Sequence, residues 1–110
     1  MRFSFIANRK WLITLAILVS AALSGCVTYV PVDEWNIARA AYEAAREADA
    51  PRFVPSMWFK AEQTYREAQR AYRERDYEKA KELFKKARVY CEQAENAARL
   101  ARYQSGEVIP

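Results

Sequence analysis

Few side chains in this chain of 110 residues could do chemistry. Histidine is absent, and the two cysteines, Cys26 and Cys91, lie far apart. A structural zinc site draws its four ligands chiefly from cysteine and histidine. A thiol nucleophile needs a neighbouring base. The partners for either are missing. The 14 acids interleave with 18 bases on what read as solvated faces, with nothing to hold them in a pocket for acid–base work. No enzyme, cofactor or metal site is expected, and the chemistry concentrates on one sulfur, Cys26.

The segment leading to Cys26 explains why. Arg2, Arg9 and Lys10 form a basic start, Trp11 to Leu23 is an apolar run, and no acid precedes Asp33. The run is shorter than the about 20 residues needed to cross a hydrocarbon core. It fits the apolar middle of a secretory signal peptide, roughly 7–15 residues. Leu23-Ser24-Gly25-Cys26 resembles the lipobox of bacterial lipoproteins. That resemblance implies a diacylglyceryl group on the Cys26 sulfur, cleavage between Gly25 and Cys26 by the lipoprotein signal peptidase, and acylation of the freed amine. The competing readings are an ordinary cleavage site with a chance cysteine and an uncleaved anchor of short span. Val27 stands where the family reads aspartate as an inner-membrane retention signal. The expected location is therefore the periplasmic side of the outer membrane, with the lipid anchor as the membrane contact.

Charge follows the same division. Three of the 18 bases and none of the 14 acids precede Cys26, so the remainder carries a formal charge of only +1. The basic isoelectric point is a property of the leader and gives no argument for nucleic acid. From Cys26 on there is room for one small domain, near the size where a single core is marginal. With Cys26 committed to lipid, Cys91 has no partner for an internal disulfide.

Positioning falls to helices. The prolines are Pro31, Pro51, Pro55 and Pro110, and the glycines Gly25 and Gly106; none interrupts Asp33–Asp49, Ser56–Arg75 or Tyr77–Tyr103. These segments are rich in Ala, Glu, Lys, Arg and Gln, the strong helix formers. Asp33 is expected to cap the first, Pro55 or Ser56 to open the second, and Asp76 to cap the third. The fold class is all-α: an elongated three-helix bundle with an antiparallel helical hairpin, preceded by a cleaved signal peptide. The division is leader 1–25, lipidated tether 26–32, three-helix domain 33–103 and flexible tail 104–110.

Periodicity assigns the faces. The first helix offers Ile37, Ala41, Ala44 and Ala48, flanked by Trp35, Ala38 and Ala45. In the second, Trp58, Ala61, Tyr65, Ala68 and Tyr72 recur at steps of three and four. The third has Ala80, Leu83, Ala87, Tyr90, Ala94, Ala97 and Ala101, with a neighbouring row of Phe84, Cys91 and Ala98. Rings can thus sit over alanines. The long third helix is expected to reach the first with its far end. Glu62–Arg66, Glu82–Lys86 and Glu95–Arg99 stand at the favourable four-residue spacing. The basic group Lys79, Lys81, Lys85, Lys86 and Arg88 reads as a solvated face.

The run "RDYEKAKELFKKA" resembles one helix-turn-helix of the tetratricopeptide repeats, with Arg75 in place of the turn glycine; one unit makes no solenoid. A fuller match is the order of lipobox, alanine-rich helix, "ADAPRFVPSMWFKAEQTYREAQRAY" and "DYEKAKELFKKARVYCEQAENAARLA". This resembles the bacterial lipoprotein family known as domain of unknown function 4398. Members show an Ala-Pro entry to helix two, here Val54-Pro55, and an Asp-Tyr-x-x-Ala start to helix three, here Asp76, Tyr77 and Ala80. The resemblance implies no activity. Some members carry a fused peptidoglycan-binding domain, which this sequence lacks, so wall binding is not carried over.

The leading functional expectation is a non-catalytic helical interaction or scaffold module that meets an unidentified envelope protein. Trp35, Tyr42, Phe53, Trp58 and Phe59 are candidates for a groove; core and hinge packing is the plainer role of each. The alternative is an alanine-zipper-like spacer that self-associates or contacts peptidoglycan. Cys91, on the row with Phe84 and Ala98, is expected in the core, with a reactive thiol as the other reading.

Overall fold

The computed structural model describes residues 2–22 and 28–106. Its helices are α1 (Arg2–Ala22), α2 (Val32–Glu47), α3 (Ala50–Phe53), α4 (Pro55–Arg73) and α5 (Tyr77–Gln104). There is no strand among the described residues. The fold is all-helical and elongated, with principal extents of 96 × 23 × 14 Å. The helix α1 packs against none of the other described helices. No helix among the described residues is long and apolar enough to cross a membrane.

Local chemistry explains each boundary. Asp76 precedes α5, and its carboxylate accepts a hydrogen bond from the Lys79 backbone N–H at 3.4 Å, the expected cap. Asp33 does not cap α2. The helix starts one residue earlier, at Val32, behind the buried Pro31, whose carbonyl accepts from the Trp35 N–H at 3.1 Å. Asp33 and Glu34 lie instead in its first turn, beside the positive end of the helix dipole. Between α2 and α4 the sequence reads as a plain break, yet Ala50–Phe53 forms a single helical turn. Pro51 sits near its start, where a missing N–H costs nothing. The same logic places Pro55 as the first residue of α4.

Arg75 closes α4 in a left-handed conformation, φ 60°. The Asp76 N–H donates to the Ala71 carbonyl at 2.9 Å and the Arg75 N–H to that of Tyr72 at 3.1 Å. That pair of bonds is the Schellman arrangement, which usually takes glycine at this position.

The packing centre is α5. It lies against α4 as an antiparallel hairpin and against α2 along most of its length. Trp35 near the start of α2 stacks on Phe84, ring centroids 5.6 Å apart, while Ala45 and Ala48 share a cluster with Cys91, Ala94 and Ala98. The far part of α5 meets α2 as expected, and the contact extends back along a parallel alignment to Phe84. Among the described residues, twelve of the sixteen buried hydrophobic ones are alanines, so the helices approach closely and a few rings fill the remaining space.

Two faces differ from the expected stripes. On α2 the buried line is Ala38, Ala41, Ala45 and Ala48, and Ile37 is 50% exposed. Ala38 takes the buried position beside it, and Ile37 edges a shallow surface cavity with Glu34, Phe84, Lys85 and Arg88. On α5 the centre is Ala80, Phe84, Ala87, Cys91, Ala94 and Ala98, with Leu83, Tyr90, Ala97 and Ala101 flanking it. On α4 the line Trp58, Ala61, Tyr65 and Ala68 holds, with Ala71 buried and Tyr72 half-buried.

Phe84 is fully buried, with the rings of Trp35, Tyr65 and Tyr72 around it. Phe84→Ala is expected to cost about 3–5 kcal/mol, read as a large loss of thermal midpoint by circular dichroism. Arg75→Gly relieves a left-handed conformation that costs a side-chain-bearing residue roughly 1–2 kcal/mol. It should raise the midpoint, and a lower one would mean that the arginine side chain holds the turn.

Candidate interaction sites

Leu23, Ser24, Gly25 and Cys26 lie outside the described residues, as do Val27 and the last four residues of the expected tail. Their flanks are described. Before them, α1 exposes its apolar side chains, Trp11 at 78% and Leu18 at 72%. After them, the chain packs onto the bundle almost at once. Pro31 is fully buried. The Tyr29 hydroxyl donates to the Glu34 carboxylate, with its two oxygens at 3.0 and 3.1 Å. That bond, made by the protonated phenol, pushes the Tyr29 pKa up. The Lys81 ammonium stands 4.9 Å from the Tyr29 ring centroid, a cation–π contact. The segment expected to be a tether is therefore attached to α2 and α5 from Tyr29 onward.

The aromatic candidates do not gather on one surface. Trp58 is buried with the Tyr42 ring 4.9 Å away, and Trp35 is half-buried on Phe84 and Tyr72. Phe53 packs against the Trp58 cluster with the Arg52 guanidinium 4.9 Å from its ring. Phe59 alone of these stands out, 59% exposed.

Charges mostly neutralise one another. Arg66 meets Glu62 at 2.9 Å and Arg99 meets Glu95 at 3.0 Å, as spaced. Glu82, however, pairs with Lys85 at 3.9 Å, so the expected partner Lys86 is displaced by its neighbour one residue closer. Arg88 pairs with Glu92 at 3.2 Å. The basic group of α5 is thus largely a compensated, solvated face.

A different surface is not compensated. Because α2 and α4 each pack on α5 and touch one another little, a groove of about 560 Å³ opens between them. Its floor includes the stacked rings of Tyr42 and Tyr65, centroids 4.7 Å apart. Arg39 lines it from α2, and Arg66, Arg70 and Arg73 from α4. Glu43 also lines it, but is paired with Arg46 at 3.7 Å. Among the described residues, no carboxylate lies within ion-pair distance of Arg39, Arg70 or Arg73. The available signal was Arg66, Arg70 and Arg73 at four- and three-residue steps on one face of α4. Which faces of α2 and α4 remain uncovered, though, only the packing reveals.

Cys91 is fully buried between the helices. Burial first, and the nearby Glu92 charge second, push its thiol up to about 11. No cluster of three or more metal-ligating side chains occurs among the described residues.

The profile of a family described as Domain of unknown function (DUF4398) matches residues 33–106, from the first turn of α2 to just beyond α5. No curated protein and no solved structure matches the chain.

Since only the thiolate reacts, Cys91 in the folded protein should resist an aromatic disulfide reagent near neutral pH and react once unfolded. The raised pKa means that the native state holds the thiol proton more tightly than the unfolded state. Its stabilising contribution is complete below the unfolded value of 9.0 and disappears as pH rises toward about 11. Unfolding midpoints across that window check the sign for wild type against Cys91→Ala: the difference between the two should shrink as pH rises.

Proposed function

The chain belongs to the DUF4398 family, and from that premise we propose that it is a lipoprotein of the outer membrane, facing the periplasm. In this reading it serves there as a non-catalytic helical interaction or scaffold module. One observation carries the reading: Leu23-Ser24-Gly25-Cys26 at the end of a basic start and an apolar run. Two acyl chains or more, each buried methylene contributing ~0.8 kcal/mol, hold a protein stably where one chain is marginal. The separateness of α1 from the other helices is consistent with a segment that is removed.

The domain beyond Cys26 supports an interaction role over chemistry. Its ion pairs are solvent-exposed, and exposed pairs contribute little and leave carboxyl groups without the apolar walls that catalysis uses. The spacer reading fares less well. The alanine stripes through which an alanine zipper would associate are consumed inside the bundle, with Ala38, Ala45, Ala87 and Ala94 fully buried.

Intact-mass analysis of protein recovered from membranes tests the anchor. The expected mass begins at Cys26 and includes acyl chains. Cys26→Ser should lose that added mass and move from the membrane fraction to the soluble fraction. A wild-type mass that retains the leader, or that begins elsewhere with a free thiol, overturns the proposal.

A further inference from the structure

We propose that the groove between α2 and α4 binds the phosphate of an anionic lipid headgroup in the membrane that holds the anchor; this rests on the lipid-anchored reading of Cys26. Three observations converge on it. The first is charge. Arg39, Arg70 and Arg73 line one groove with no carboxylate at ion-pair distance, in a chain whose remainder after the leader is nearly neutral. Elsewhere on the bundle, Arg88 and Arg99 each meet a glutamate, and the other charged groups of the groove, Arg66 and Glu43, pair with Glu62 and Arg46. Guanidinium forks hold phosphate oxygens two at a time, with a geometry that lysine lacks.

The second is position. The Trp35–Tyr72 ring contact, 4.4 Å between centroids, sets the start of α2 beside the end of α4. Arg73 is the last residue of α4. At 1.5 Å per residue, Arg70 lies about 5 Å from that end, and Arg39 about 10 Å from the start of α2. The unpaired arginines therefore cluster at one end of the bundle.

The third is the tether. Pro31 is buried and Tyr29 is held by Glu34 and Lys81, so only a few residues separate Cys26 from the bundle. Fully extended, the five steps from Cys26 to Pro31 span at most about 18 Å. The arginine-bearing end is thus kept within a short distance of the headgroup layer. There the local concentration of lipid phosphate is high by geometry alone. A soluble anion would have no such advantage, which is why the headgroup is the favoured occupant.

The test uses full-chain protein purified in detergent and titrated with phosphatidylglycerol or phosphatidylcholine, with bound lipid read by native mass spectrometry. The expected result is preferential retention of phosphatidylglycerol. The triple variant R39Q/R70Q/R73Q should weaken it at least about tenfold, while R88Q/R99Q, altered outside the groove, binds like wild type. All these side chains are exposed, and circular dichroism confirms that helicity is kept. Should the triple variant unfold, Arg73→Gln alone must still weaken binding. Equal retention of the two lipids, or unchanged binding by the groove variants, overturns the proposal. So does displacement by inorganic phosphate or poly-glutamate at concentrations matching the lipid, since the groove would then be a general anion or acidic-peptide site. The same spectra report the acyl mass at Cys26, so a failed anchor and a failed groove are read separately.

Discussion

The architecture depends on how closely α5 is approached by two helices at once. Alanines at nearly every facing position allow that approach, and Phe84 fills the space where the three helices meet. Around it, Trp35, Tyr65 and Tyr72 place rings from α2 and α4 against one side chain of α5. The hydrophobic gain is concentrated in few residues, because an alanine buries little area while an aromatic side chain buries on the order of 150–250 Å². The central helix therefore acts as a common wall, and α2 and α4 are neighbours mainly through their rings. Their limited mutual contact is what leaves the arginine-lined groove open.

The same arrangement brings the start of α2 and the close of α4 together. From Tyr29 onward the chain is fastened where α2 starts, beside the close of α4. Charge is distributed in keeping with this: along α5 and the outer faces opposite charges meet within single helices, whereas in the groove arginines accumulate from two different helices. A compensated face asks for nothing but water. An uncompensated one has a stake in what lies nearby.

Much of the helical layout was legible in the residues. Proline and glycine punctuation, the Asp76 cap and the stripe of α4 all read correctly, because each is a local signal with strong contrast between Trp or Tyr and the polar face. Phasing was poorer on α2. In a segment where alanine recurs at many positions, the period survives a rotation of one residue, and Ile37 drew the stripe toward itself although close packing demanded alanine. The turn Ala50–Phe53 escaped because proline signals a boundary without telling whether a short helix begins there. Of the aromatic candidates only Phe59 stays largely exposed, and the arginine groove is not visible in any one segment. A groove is a property of what two helices leave uncovered, and no single segment encodes that.

The core contains no buried polar or charged side chain among the described residues. Buried polar groups are one device by which helices fix their mutual register, and here that device is missing. Facing rows of near-identical alanines would let one helix slip past another by a turn, about 5 Å, with little change in buried surface. The rings of Trp35 and Tyr42, lodged against Phe84 and Tyr65, serve as the detents against such slippage. Alignment in this fold is a matter of shape alone, carried by the few bulky side chains that the alanines leave space for.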